Sequence, residues 1–338
     1  MKTIICKEPD RLVMEEVQAP SINPGEALVR IKRIGICGTD MHAYKGNQPF
    51  FSYPRVLGHE LAGIIEEVHD NVQSLRKGDQ VSVIPYMECG HCIACRNGKT
   101  NCCTDMKVLG VHIDGGMSEL IAVPADHLIR TDGLTLDQSA VLEPLSIGAH
   151  AVRRSELRAG ETALVIGAGP IGLGVMAFAK HRGARVIVMD INDERLQFCR
   201  GWAKVDDSVN ALQQSKERLS ELTNGEYPTV VFDATGNARS MTDAFGYVAH
   251  GGKLVYVGLV KADISFNDPE FHKREMTLIG SRNATKEDFD NVIGAVRSGS
   301  IDVDSFITHR AGFSEMIGHF ESWLKPESKV IKAMVELN

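Results

Sequence analysis

The sequence predicts an α/β protein: a β-rich first third, a doubly wound parallel sheet after it, and a tail that returns to the first part. Three observations predict this. Short β-branched runs separated by turn residues occupy positions 27–123, apolar runs alternate with helical stretches from about 139 to 279, and an alternating run closes the chain.

In order along the chain, residues 27–31, 61–65, 80–84 and 120–123 read as strands of a mostly antiparallel sheet. Residues 139–154 carry apolar positions at helical spacing. Further strands are expected at 163–166, 186–189, 230–232, 254–257 and 277–279, with intervening stretches long enough for right-handed helical crossovers. From Thr285 two helical segments precede the run Val330-Ile331-Lys332-Ala333-Met334-Val335, which is placed as an added strand of the first unit.

The composition narrows the function. Of 338 residues, 43% are hydrophobic and 24% charged, an ordinary globular balance. Lys plus Arg number 37 against 44 Asp plus Glu, a net charge of −7, so neither nucleic acid nor an anionic membrane surface is an expected partner. Lys2, Lys7 and Glu8 interrupt the start before a secretory apolar core forms, and glycines break the uncharged stretch near 162–180, so a cytoplasmic location is expected. Eight cysteines in such a chain point to metal or catalysis instead of disulfides.

Gly167-Ala168-Gly169-Pro170-Ile171-Gly172 follows an apolar strand and opens an apolar helix. Gly167 permits a tight turn, Gly169 lets the backbone approach a pyrophosphate, and Gly172 allows close helix packing, with Pro170 and Ile171 between them. The amides and dipole at the helix start favour the diphosphate. Asp190 ends the next strand, where a carboxylate accepts hydrogen bonds from an adenosine ribose and repels a 2′-phosphate, which favours NAD. The same Asp190 could cap the helix after it, and Arg195 leaves NADP as the lesser alternative. Thr235 and Gly258, each in a small-residue turn after a strand, complete the expected dinucleotide crevice.

Cys89, Cys92, Cys95 and Cys103 lie within fifteen residues, with Gly90 and Gly98 for the turns. Four thiolates close a tetrahedral shell, which is a structural zinc site. Cys102 sits beside them, and Cys6 and Cys199 read as ordinary thiols. A second constellation is spread out: Cys37, Thr39 and His42 within six residues, then His59-Glu60, then Glu143. Three protein ligands with an open position are what a catalytic zinc requires. Spacing alone does not bring these residues together.

These motifs, in this order and over the whole length, resemble the zinc-dependent medium-chain alcohol and polyol dehydrogenases. The resemblance implies a GroES-like β-rich catalytic domain at 1–145 and 285–338, a Rossmann domain at 146–284, two zinc ions per subunit, NAD, and a homodimer or homotetramer. Cys37, His59 and Glu60 would hold the catalytic zinc. Glu143 would either complete its shell or act beside it. Thr39 would take the substrate proton and pass it, through the cofactor ribose, toward His42, whose imidazole suits exchange with solvent.

Within the family, the runs 46–60, 268–273 and 280–285 resemble the bacterial L-galactonate, L-gulonate and L-idonate 5-dehydrogenases. That implies oxidation of the C5 hydroxyl of an L-aldonate to a keto acid such as D-tagaturonate or D-fructuronate. Ala43 stands after His42 where sorbitol dehydrogenases carry an aromatic residue, which leaves room for a different substrate terminus. Arg282 is the expected partner of the sugar-acid carboxylate, because a guanidinium pairs bidentately with planar oxygens. Phe50 and Glu143 complete the expected substrate set. Dehydrogenation of a neutral polyol or of L-threonine is the competing chemistry, and a nucleotide-binding regulator without turnover the competing class.

Overall fold

A computed structural model describes residues 1–48 and 51–338. The chain divides into two compact units, Met1–Glu143 with Asp302–Asn338, and Pro144–Ile301. The first begins with strands β1 (Lys2–Glu8), β2 (Arg11–Glu16) and β3 (Glu26–Ile36), then helix α1 (Gly38–Tyr44). It continues through β4 (Arg55–Val56), β5 (Glu60–Val68), β6 (Gln80–Val83), β7 (Tyr86–Met87), the short helix α2 (Ile93–Arg96) and β8 (Lys107–Val108). Strands β9 (Leu120–Pro124) and β10 (Leu128–Arg130) and helix α3 (Leu136–Ala140) follow. Helix α4 (Leu142–Ser155) crosses into the second unit.

The second unit alternates β11 (Thr162–Ile166), α5 (Pro170–His181), β12 (Arg185–Asp190), α6 (Asp193–Trp202), β13 (Asp207–Asn210) and α7 (Ser215–Leu222). Then come β14 (Val230–Asp233), α8 (Ala238–Asp243), β15 (Lys253–Tyr256), α9 (Asp268–Lys273), β16 (Thr277–Gly280) and α10 (Lys286–Arg297). The chain re-enters the first unit as β17 (Ile307–Gly312), α11 (Met316–Trp323) and β18 (Lys332–Glu336).

In the first unit the main sheet runs β10-β6-β5-β3-β18-β17, with β9 also paired to β3. β3 is the organiser: eleven residues long, it pairs with β5 along most of its length, from Ala27 to Gly35, and with β9 and β18 over its first and last parts, residues 26–30 and 33–36. Its register sets the site, because Gly35 lies opposite Glu60 of β5 while Ala333 of β18 lies opposite Ile36. A side chain at Gly35 would occupy the space of the Glu60 carboxylate, so only glycine suits that position. Ile31, Ile34, Leu57, Leu61, Ile65 and Met117 are fully buried around this junction.

In the second unit the parallel sheet runs β13-β12-β11-β14-β15-β16. Its order reverses direction between β11 and β14, the point at which such sheets open a crevice beyond their carboxyl ends. Leu164, Ile187, Val231 and Leu254, from four adjacent strands, are completely buried beneath the helices, as expected of strands covered on both faces.

The β-rich first part, the expected parallel strands and the returning terminal strand are all present. Among the described residues, eight strands lay outside the sequence reading, namely β1, β2, β4, β7, β8, β10, β13 and β17, and the last two show why. β13 is Asp207-Ser208-Val209-Asn210, with a single apolar residue, and β17 contains Thr308, His309 and Arg310. The expected boundaries, 145 and 285, also differ from the units found. The return falls at Asp302 because α10 is fastened to α4. Asp288, fully buried, accepts from His150 Nδ1 at 2.9 Å, Arg153 Nε at 2.7 Å, and the Thr285 amide at 2.9 Å.

Burial opposes ionisation of Asp288, but hydrogen bonds from His150, Arg153 and Thr285 overcome it and hold the carboxyl well below its usual range. A depressed native pKa stabilises the fold above the unfolded value of about 3.9 and loses that contribution as pH falls through the folded value. Asp288→Asn is therefore expected to cost about 2 kcal/mol at pH 7. The deficit should shrink in urea melts below about pH 4, and a deficit that stays constant with pH would remove ionisation from the account.

Candidate functional site

The site in the first unit is built at the ends of β3 and β5. Cys37 leaves β3 and caps α1, where its amide donates to Asp40 Oδ2 at 2.9 Å. Asp40 is itself buried and accepts the Gly58 amide on Oδ1 at 3.0 Å, which ties α1 to the segment carrying His59 and Glu60. The ligand atoms of Cys37, His59 and Glu60 come within 4.8 Å of one another. Asp40 Oδ1 faces His59 Nδ1 at 3.7 Å. Nδ1 is buried and has no hydrogen-bond partner among the described residues. A carboxylate on that side favours Nδ1 as the protonated nitrogen and leaves Nε2 its lone pair, the usual arrangement behind a metal-binding histidine. Burial alone would lower the His59 pKa, but Asp40, Cys37 and Glu143 reverse this and raise it well above the ordinary value.

The donor chemistry fits zinc. A thiolate, an imidazole and a carboxylate suit a borderline-soft cation, and three donors leave a fourth position open. Lys332 holds the carboxylate: its Nζ lies 2.5 and 2.7 Å from the two Glu60 oxygens and also donates to Ile36 O at 3.2 Å. Both side chains are almost wholly buried. Glu143, in the first turn of α4, is outside the three-ligand cluster. Its Oε1 accepts the phenol hydrogen of Tyr86, which is buried as well. Burial pushes Glu143 up to about 7, against the opposing pull of His59. Burial and the Glu143 charge raise the Tyr86 phenol well above its normal value, so Tyr86 is the donor of the pair.

Thr39 and His42 occupy one face of α1, three residues apart, with Thr39 half-buried and His42 exposed. Phe50 lies outside the described residues.

Cys89, Cys92, Cys95 and Cys103 form a second cluster within 4.8 Å. The Cys95 and Thr104 backbone amides lower the Cys92 thiol to about 5, whereas burial and its sulfur neighbours push Cys95 up to about 12. Four sulfurs so close share protons poorly, and a cation bound by all four relieves the conflict. Cys102 is exposed, and Cys6 and Cys199 are buried thiols raised by burial to about 11 and about 12.

In the second unit a cavity of about 590 Å³ opens at the switch point, bordered by Gly167, Gly169, Asp190, Arg195 and Thr235. Gly167 has φ 101°, and a Cβ at Gly172 would overlap the Gly167 carbonyl. Gly169 faces open space at the start of α5 and leaves the room a pyrophosphate needs. Pro170 and Ile171 form the first turn of α5. Gly258 packs against Gly236 beside the cavity instead of bordering it. Asp190 is not the helix cap: Asn192 caps α6, accepting from the Arg195 amide, while Asp190 accepts from Ala168 N at 2.7 Å and Asn192 N at 2.9 Å. Arg282 is exposed at the end of β16.

Residues 23–133 match the alcohol dehydrogenase GroES-like domain, and residues 170–298 the zinc-binding dehydrogenase domain. The chain is 43% identical over 335 residues to L-galactonate-5-dehydrogenase of Escherichia coli (strain K12), covering 99% of this chain and 98% of that one. The chain belongs to the zinc-binding alcohol dehydrogenases. A second relative of this family, L-idonate 5-dehydrogenase of Vitis vinifera, is 34% identical, with 88% of this chain and 83% of that protein covered. Among solved structures, the alcohol dehydrogenase RspB of E. coli CFT073, complexed with NADH, superposes with a TM-score of 0.94 at 32% identity, covering 100% of this chain and 99% of that one. The two units thus have the GroES-like and Rossmann folds of zinc-binding alcohol dehydrogenases, and zinc and a nicotinamide dinucleotide are the cofactors. The family assignment leaves Lys332 and Tyr86 to be read from contacts, since neither stands in a motif of the sequence.

Proposed function

We propose that the chain is an NAD-linked L-aldonate 5-dehydrogenase, oxidising the C5 hydroxyl of L-galactonate or L-gulonate to a keto acid such as D-tagaturonate or D-fructuronate. The observation that carries this reading is the 43% identity to an L-galactonate-5-dehydrogenase over nearly the full length of both chains. When bound, zinc supplies Lewis acidity toward the hydroxyl and the nicotinamide supplies the hydride acceptor.

The remaining work falls to the chain. Cys37, His59 and Glu60 would hold the metal, with Lys332 limiting how firmly Glu60 engages it. Thr39 would accept the substrate proton at Oγ1 as it gives up its own hydroxyl proton, which the exposed imidazole of His42 on the same face of α1 would pass to solvent. Glu143 would hydrogen-bond the substrate or complete the metal shell. Arg282, exposed just beyond the end of β16, would pair with the aldonate carboxylate, because a guanidinium pairs bidentately with planar oxygens.

Turnover on L-galactonate, L-gulonate, L-idonate, sorbitol, galactitol and L-threonine, each with NAD and NADP, tests the reading. Highest kcat/KM on an aldonate with NAD is expected; highest kcat/KM on a neutral polyol or on threonine would overturn it. For the coenzyme, Asp190→Ala should weaken NAD roughly tenfold, about 1.4 kcal/mol, and improve NADP relative to it. An unchanged NAD-to-NADP ratio would confine Asp190 to holding the Ala168 and Asn192 amides.

A homo-oligomer is part of the proposal. β16 is an edge strand of the parallel sheet, and Leu278 on it is exposed, which suits pairing with the same strand of a second copy.

A further inference from the structure

The cysteine lobe and the acid at the start of α4 are joined by one side chain. β7 and β8 pair antiparallel, Tyr86 opposite Val108 and Met87 opposite Lys107, and all four clustered thiols lie on the loop between these strands. The pairing is only two residues long on each strand, and so short a hairpin is marginal by itself. At its tip the Cys89 amide donates to Cys103 Sγ at 3.3 Å, and at its base the Leu109 amide donates to Pro85 O at 3.0 Å. Closure of the cysteine cluster therefore supports the register of the stalk. Tyr86 is in that stalk, three residues before Cys89, and its hydroxyl donates to Glu143 Oε1 in a fully buried contact.

We propose that Tyr86 is a positioning residue which fixes the Glu143 carboxylate, and that the metal of the four-cysteine lobe acts on the reaction through it. This rests on the dehydrogenase reading in one respect, that Glu143 faces the reacting alcohol or its metal. A carboxylate on a glutamate stem rotates freely unless an oxygen is held. Tyr86 holds one oxygen from a backbone anchored on the far side by sulfur ligation. When the lobe opens, the ring shifts, Glu143 Oε1 loses its phenol donor, and the carboxylate beside the three-ligand centre is less firmly held.

Three variants test it. Tyr86→Phe keeps the ring and removes only the donor. It should lower kcat roughly 10–100-fold, the usual effect of losing a hydrogen-bond partner behind a metal centre. KM should move less than twofold, and the visible absorption of the cobalt-substituted enzyme should shift at the three-ligand site. Cys103→Ser, which removes a lobe ligand, should lower kcat similarly. The double variant should be no slower than the slower single variant, because both remove the same support.

An unchanged kcat and cobalt spectrum in Tyr86→Phe would overturn the proposal even if Cys103→Ser fails to fold, as would multiplicative losses in the double variant. Glu143→Gln separates the two levels. If it leaves kcat intact, the role given to Glu143 falls and the proposal with it. If it lowers kcat while Tyr86→Phe does not, Glu143 keeps its role and the positioning by Tyr86 is overturned.

Discussion

Replacing Lys332 by methionine is expected to remove about 3–5 kcal/mol of stability, the range for breaking one side of a buried ion pair. That is a large share of the 5–15 kcal/mol typical of a folded domain. The cause is local. Glu60 is wholly buried, and both its oxygens are held by Lys332 Nζ at 2.5 and 2.7 Å. Without the ammonium, Glu60 remains inside with Asp40 and Glu143 as fellow acids, and the Ile36 carbonyl loses its 3.2 Å donor. Methionine matches the stem, so the loss comes from charge and not from a cavity.

The same variant should respond unusually strongly to zinc. A cation bound near Glu60 replaces the missing positive charge, and a ligand that binds only the folded state at a hundredfold excess over its Kd adds about 2.7 kcal/mol. Urea melts of the metal-free and zinc-saturated variant read both effects. A metal-free loss below about 1 kcal/mol would place the pair among those whose desolvation cancels their attraction.

Lys332 also shows where a sequence stops being informative. The glycine turn and the cysteine lobe are local, their geometry written within a few residues, so their spacing alone carried them. Cys37, His59 and Glu60 were legible as ligand types, although only the register of β3 against β5 brings them together. Lys332 lies 272 residues from its partner, and lysine is ordinarily a surface residue, so nothing in its neighbourhood marks it. Tyr86 resembles any aromatic residue of a short strand until Glu143 is seen beside it. The same physics explains the fold. β13 escaped notice because one valine among polar residues makes no apolar run, and the unit boundary moved to Asp302 because Asp288, a charged residue at a helix start, bonds inward to His150 and Arg153.

The largest loss of activity is expected from Cys37→Ser. An alcohol with a pKa near 15 is not deprotonated at neutral pH, and bringing it there is worth roughly 10 kcal/mol at about 1.36 kcal/mol per unit. Of the buried charged groups near the site, Asp40, Glu60 and Glu143 are acids and the Lys332 ammonium is taken up by Glu60, so none supplies that stabilisation; a cation held among Cys37, His59 and Glu60 can. A serine hydroxyl is a poor substitute for a thiolate, and Glu60 is already shared with Lys332, which leaves His59 as the one uncontested donor of the three. The expectation is two zinc ions in the wild-type chain and one in Cys37→Ser, with turnover reduced by on the order of 10⁴ or more. The retained ion should be the one in the cysteine lobe, and Cys92→Ser should conversely lose the lobe ion while keeping that of the Cys37 centre. Metal analysis of the two variants and of their combination separates the sites. Two zinc ions with more than a tenth of normal turnover in Cys37→Ser would place the reacting centre elsewhere in the chain.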